Sequence, residues 1–134
     1  LKVTATVLQN TYSHSVGQWA LKTDFANAGI TAPVNLTGKT VSIKAYIPTG
    51  SALTAVKLTF IDNTGKKSQG REVSNSAKDT WTSVTYKYVD GTTDSDYTVP
   101  GFDITNVTGI SIVAIKNSAT AASSETLYID SLSW

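Results

Sequence analysis

The stretch from Thr40 to Pro48, TVSIKAYIP, restricts the fold more than any other part of the chain. Val41, Ile43, Ala45 and Ile47 alternate with Ser42, Lys44 and Tyr46, the period of two that places one set of side chains on a core face and the other on an outer face of a strand. Pro48 ends the run by removing a ladder donor. The same alternation returns in Leu1 to Leu8, in Ala55 to Asp62 before the Asn63-Thr64-Gly65 turn, and in Trp81 to Val89. In Val107 to Lys116 both faces are apolar, as expected of a strand in the middle of a sheet. The closing TLYIDSLSW, Thr126 to Trp134, puts Leu127 and Ile129 on one face and Tyr128 and Asp130 on the other. Short helical structure is expected only between Phe25 and Pro33.

About eight strands, separated by turn signals and without any βαβ alternation, read as an all-β antiparallel β-sandwich of jelly-roll type, with an immunoglobulin-like sandwich as the alternative. The 134 residues fit one domain with a substantial core. Its 11 basic residues are scattered and the net charge is +1, so no dense cationic stripe is available for a phosphate backbone and no nucleic-acid partner is expected. No apolar run is long enough to span a membrane as a helix. Cysteine is absent, which removes disulfides, thiolate metal sites and cysteine nucleophiles. With 16% charged residues and abundant Ser and Thr, the composition leads to the expectation of a secreted, extracellular β-protein.

Catalytic chemistry finds little to use. Glu72 and Glu125 are the only glutamates and both lie beside loops, whereas a glycosidase needs paired carboxylates on rigid elements. His14 is the only histidine, without the partners of a Ser-His-Asp or two-histidine metal site. Binding chemistry is better supplied: rings that could stack on sugar C–H faces occur along the chain, with polar side chains able to fork hydrogen bonds to paired hydroxyls. Tyr46 points away from Ile43 and Ile47 and shares its strand face with Lys44, the best local sign of a binding surface. Trp19 lies between Gln18 and Ala20 and is a second candidate. Trp81 and Tyr86 are ordinarily read as core, but Trp81 is kept as a candidate ring, with Arg71, Gln69 and Asn117 as polar forks.

Taken in order, HSVGQWALK (His14 to Lys22), the segment from Gly38 to Pro48, Val56 to Gly65, Trp81 to Tyr86, Phe102 to Ile110 and Tyr128-Ile129-Asp130 resemble the carbohydrate-binding modules of β-sandwich type appended to bacterial mannanases, xylanases and β-glucanases. The resemblance implies a non-catalytic, monomeric module that holds a polysaccharide near an attached catalytic domain, with mannan or glucomannan first and xylan or β-glucan next. It also implies a structural calcium ion near the chain ends, with Asp130 as a ligand; a backbone or lysine partner for that carboxylate is the competing expectation. A structural or adhesive sandwich from a surface or fibre protein is the alternative function.

Overall fold

A computed structural model of the chain describes residues 2–7, 16–71, 73–74, 77–88, 95–117 and 123–134, with only the backbone described for 3–7, 16–23, 74, 95–97 and 117. The strands in chain order are β1 (Lys2–Val7), β2 (Val16–Asp24), β3 (Thr40–Tyr46), β4 (Leu53–Asp62), β5 (Lys67–Gly70), β6 (Val73–Ser74), β7 (Trp81–Lys87), β8 (Ser95–Thr98), β9 (Val107–Asn117) and β10 (Ser123–Ser133). A four-stranded sheet has the order β1-β10-β3-β7, and a six-stranded sheet runs β2-β9-β4-β5-β8 with β6 also paired to β4. Every pairing is antiparallel. The chain crosses between the sheets at β1–β2, β2–β3, β3–β4, β6–β7, β7–β8 and β9–β10, while β4, β5 and β6, and then β8 and β9, follow one another within the six-stranded sheet of this jelly-roll sandwich.

The alternation in the sequence sets the two inner faces. Val41, Ile43 and Ala45 of β3, Val84 and Tyr86 of β7, and Leu127 and Ile129 of β10 are buried against Val56, Leu58 and Phe60 of β4 and Ile110, Ile112 and Ala114 of β9. Each Val, Leu, Ile or Phe side chain among them contributes about 1.5–3 kcal/mol by leaving water. Phe60 stacks on Tyr86 across the core with ring centroids 4.6 Å apart, and the Tyr86 hydroxyl meets Ser68 Oγ at 2.6 Å.

Three departures from the sequence reading have physical causes. β5 and β8 occupy stretches whose polar sequences, KSQG and SDYT, lack an apolar alternation, because β8 lies at a sheet margin and β5 contributes only Ser68 and Gly70 to the buried set. Lys57 and Thr59 do lie on the outer side of β4 but are 7% and 3% exposed, since β4 sits mid-sheet beside the buried Ala55, Val113 and Ile115. The helical content expected between Phe25 and Pro33 is one 3₁₀ turn, Ala26–Ala28, ended by Gly29 at φ 74°.

At its far end β10 changes register between Asp130 and Ser133, with Ser131 at φ 57°. Beyond this bulge the Trp134 ring stacks on buried Phe25 at 5.8 Å, joining the end of β10 to the residue that follows β2 in the other sheet. At the opposite end of β10, Lys116 Nζ donates to Ser123 Oγ at 2.8 Å, and Ser123 Oγ donates to Glu125 Oε1 at 2.5 Å. This polar group closes the core between β9 and β10.

Candidate functional site

The outer face of the four-stranded sheet carries the residues that the inner face rejects. Tyr128 of β10 lies opposite Tyr46 of β3, and Tyr46 lies opposite Trp81 of β7. Lys2 of β1 lies opposite Tyr128, so one row of side chains crosses the whole sheet. Directly opposed residues in antiparallel strands bring their Cβ atoms to about 4.5–5.5 Å, close enough for rings to meet. The Tyr46 centroid is 5.5 Å from that of Trp81, with the rings tilted by 48°, and 5.7 Å from that of Tyr128, with the rings at 82°. Lys2 Nζ stands 5.9 Å from the Tyr128 ring centroid, within cation–π reach.

Because the rings are inclined, they make a notch. Tyr46, Pro48, Trp81 and Tyr128 line a shallow hollow of about 330 Å³. Trp81 is 48% exposed, whereas Tyr46 and Tyr128 are half-buried. Tyr46 is also pinned at its far end: its hydroxyl donates to Asp79 Oδ1 at 3.0 Å. Asp79, at φ 57°, accepts from the Thr49 amide at 2.8 Å and from the Thr49 hydroxyl. The Thr49 hydroxyl, the Thr49 amide and the Tyr46 hydroxyl together hold the Asp79 carboxyl below the usual range, and the bond to Asp79 raises the Tyr46 hydroxyl above its own.

A second row lies beside the first. Asp130 is opposite Lys44, and Lys44 is opposite Ser83, to whose Oγ its Nζ donates at 2.7 Å. Asp130 is exposed and accepts from the Ser131 amide at 2.8 Å. It therefore offers one carboxylate across from a cation, and calcium asks for six to eight oxygens, roughly. Among the described residues no group of at least three His, Cys, Asp or Glu residues is placed to hold a metal ion. The resemblance would draw further ligands from the loop after the first strand or from a turn before Asp24; that loop lies outside the described residues, and the residues before Asp24 belong to β2.

The chain matches no protein-family model and no curated protein sequence. Its shape is similar to that of a structure described as the structural basis for the promiscuous specificity of the carbohydrate-binding modules from the β-sandwich superfamily, at 12% identity and a TM-score of 0.49. That match covers 100% of this chain and 53% of the other, so this chain spans about half of that structure. A family 11 carbohydrate-binding module from Clostridium thermocellum, in complex with a β-1,3-1,4-mixed-linked tetrasaccharide, is similar at 11% identity and a TM-score of 0.48 over 98% of this chain and 81% of that one.

The structure distributes the sequence candidates over several places. Tyr46, Lys44 and Trp81 come together on the four-stranded sheet. Gln69 is half-buried on β5, opposite Thr59 on the outer face of the six-stranded sheet. Arg71 follows β5 and is exposed at the seam between the sheets, where it shares a groove with Lys87. The backbones of Trp19 and Asn117 pair with Ala114 and Val16, and their side chains lie outside the described residues. Sequence reasoning left Tyr128, Lys2 and Asp79 out of the site. Tyr128 had a usable signal, since the alternation in TLYIDSLSW already set it opposite Leu127 and Ile129. Asp79 had none, because its link to Tyr46 spans 33 residues.

The remaining described carboxylates are engaged with their own surroundings. Burial raises the Asp62 carboxyl, but the Thr64 side chain and the amides of Asp103, Thr64 and Lys66 outweigh it and hold the group low. Burial likewise works against ionised Glu125, and the hydroxyls of Ser123 and Ser51, the Ala52 amide and the charge of Lys116 prevail. Asp103 accepts from Thr105 and from Asn106 Nδ2.

Proposed function

We propose that this chain is a non-catalytic carbohydrate-binding module that seats a β-linked polysaccharide in the aromatic notch of the four-stranded sheet. The carrying observation is the row Lys2, Tyr128, Tyr46 and Trp81, in which a half-exposed indole and two tyrosine rings share one face with Lys44 and Ser83. Rings of this kind cover sugar C–H faces, and the adjoining row supplies donors and acceptors for the hydroxyls at the sugar edge. The inclined rings suit a single soluble chain better than the flat surface of a crystalline polymer. Engagement of Asp62, Asp103 and Glu125 in local hydrogen bonds supports a binding role over a catalytic one.

Mannan or glucomannan stands first among the ligands, with xylan and mixed-linked β-glucan next, and the module serves an attached glycoside hydrolase in a secreted protein. A few ring–sugar stacks of roughly 1 kcal/mol each place the affinity between micromolar and millimolar. Affinity electrophoresis and titration calorimetry over these polysaccharides test the reading: retardation with measurable heat is expected for at least one, and neither signal with any of them refutes it.

Calcium at Asp130 is part of the same proposal and needs oxygen donors besides that carboxylate, from the end of β10 away from the Val7–Ser123 pair. Its support is the oxygen chemistry of an exposed carboxylate near the β10 bulge; the opposing Lys44 counts against it. A melting temperature that falls with chelator and recovers with added calcium is expected, and one indifferent to both removes the ion from the proposal.

A further inference from the structure

The aromatic notch occupies one end of β7, and the other end has a different character. Trp81, Ser83, Thr85 and Lys87 all project from the outer side of β7, and Lys87 lies about 20 Å along the strand from Trp81 at the usual rise per residue. There the two sheets close on each other. Gly70 of β5 lies so near β7 that a Cβ on it would meet Tyr86 Cγ at 2.8 Å. Because these two residues touch, the ones that follow them, Arg71 and Lys87, emerge side by side. They line one groove of about 210 Å³ with Thr40, Thr85, Val73 and Tyr86.

Two cations brought together without a carboxylate among the described residues of the groove repel each other, so the arrangement favours an anion between them. Lys87 pairs with Thr40 through the β3–β7 ladder, and among the described residues neither its ammonium nor the Arg71 guanidinium has a side-chain hydrogen bond or ion pair. Asp103 shares the adjoining cavity of about 530 Å³ with Lys87, but its oxygens accept from Thr105 and Asn106. The groove also has what a sugar acid requires beyond charge. Arg71 can fork onto a carboxylate, Lys87 adds a second charge, Thr40 and Thr85 offer hydroxyls, and half-buried Val73 adds an apolar wall.

We propose that the Arg71–Lys87 groove is an acidic-sugar subsite, which binds the carboxylate of a uronic-acid residue on the polysaccharide whose backbone occupies the aromatic notch. The choice of a sugar as the carrier of the carboxylate rests on the proposed function, whereas the preference for an anion rests on the groove alone. The ligand class becomes a β-linked polysaccharide bearing uronic-acid substituents.

The test compares a glucuronic-acid-substituted xylan with the same polymer after reduction of its carboxyl groups to alcohols, titrated at low salt against the whole chain. The acidic polymer should bind about tenfold more tightly than the reduced one, the size expected of a charge-assisted contact. That preference should vanish in the Arg71→Gln/Lys87→Gln double variant, and in Trp81→Ala it should persist while both affinities fall. Equal binding of the two polymers, a preference that survives the double substitution, or displacement by inorganic sulfate as effective as by free glucuronate would overturn the subsite. A preference retained in Trp81→Ala with no fall in either affinity would support the subsite while refuting the aromatic notch.

Discussion

The hydroxyl of Tyr46 donates to Asp79 Oδ1 at 3.0 Å, and Asp79 is in turn fixed by the amide and hydroxyl of Thr49. The ring at the centre of the aromatic row is thus held at both ends, by the β3 backbone and by a turn residue 33 positions away. A ring that does not have to be ordered on binding loses less conformational freedom to a ligand. Asp79→Ala and Tyr46→Phe should each weaken polysaccharide binding about two- to fivefold, the scale of one ordinary hydrogen bond, with the rings still present. Calorimetry on both variants checks this, and unchanged affinity in both would show that the clamp does not preorganise the notch.

The same bond sets a pH window. Asp79 titrates below its unfolded value of about 3.9, so its contribution is complete above that value and is lost as pH falls through the lowered pKa. Tyr46 titrates above about 10, so its contribution is present below that value and is lost as pH rises through the raised pKa. Affinity for a neutral polysaccharide should be flat between about pH 5 and 9 and decline on either side. A midpoint near neutrality would mean that another group controls binding.

Asp62 plays a different part, in the fold. Its Oδ1 accepts from the Thr64 amide at 2.8 Å, the Thr64 hydroxyl at 2.8 Å and the Lys66 amide at 2.9 Å, while Oδ2 accepts from the Asp103 amide at 3.0 Å. Asp62→Ala leaves the partly buried amides of Thr64, Lys66 and Asp103 without this acceptor and should cost about 1–3 kcal/mol in denaturant unfolding, with sugar affinity unchanged. Since the Asp62 pKa is lowered, its stabilisation is present above the unfolded value of about 3.9 and is lost as pH falls through the folded one. The pH dependence of stability in Asp62→Ala should therefore be flatter in acid than that of the wild type.

The architecture could be read from period-two alternation because a sandwich core needs every second residue, and Val41, Ile43, Ala45, Leu127 and Ile129 all occupy the buried places assigned to them. β8 escaped because a marginal strand held by backbone bonds needs no apolar pattern. The site was legible in part. Tyr46 and Lys44 follow from parity on β3, and the outward Trp81 follows from parity on β7, where it shares a face with Ser83 and Thr85 and opposes Val84 and Tyr86; that it stands beside Tyr46 depends on the register of β7 against β3. That Gln69 and Arg71 stand apart from Tyr46 depends on which strands share a sheet, a long-range choice that no local pattern encodes.

The contact between Gly70 and Tyr86 yields a further expectation. A methyl group at position 70 would sit 2.8 Å from Tyr86 Cγ and 2.9 Å from Cδ2, so one of the two sheets must shift. Gly70→Ala should lower stability by about 1–3 kcal/mol, the usual scale of overpacking. Chemical denaturation measures it directly, and a change under 0.5 kcal/mol, roughly the scatter of neutral surface substitutions, would mean that the seam is looser than this contact implies.

The central claim is that sugar binds on the aromatic row, and Trp81→Ala tests it most directly. At 48% exposure Trp81 can be removed with little effect on the core. Titration of wild type and variant against the best-bound neutral polysaccharide, with melting temperatures as the folding control, should show affinity about five- to tenfold weaker in the variant at a nearly unchanged melting temperature. Equal affinity in a folded variant would contradict the assignment of the notch as the binding site.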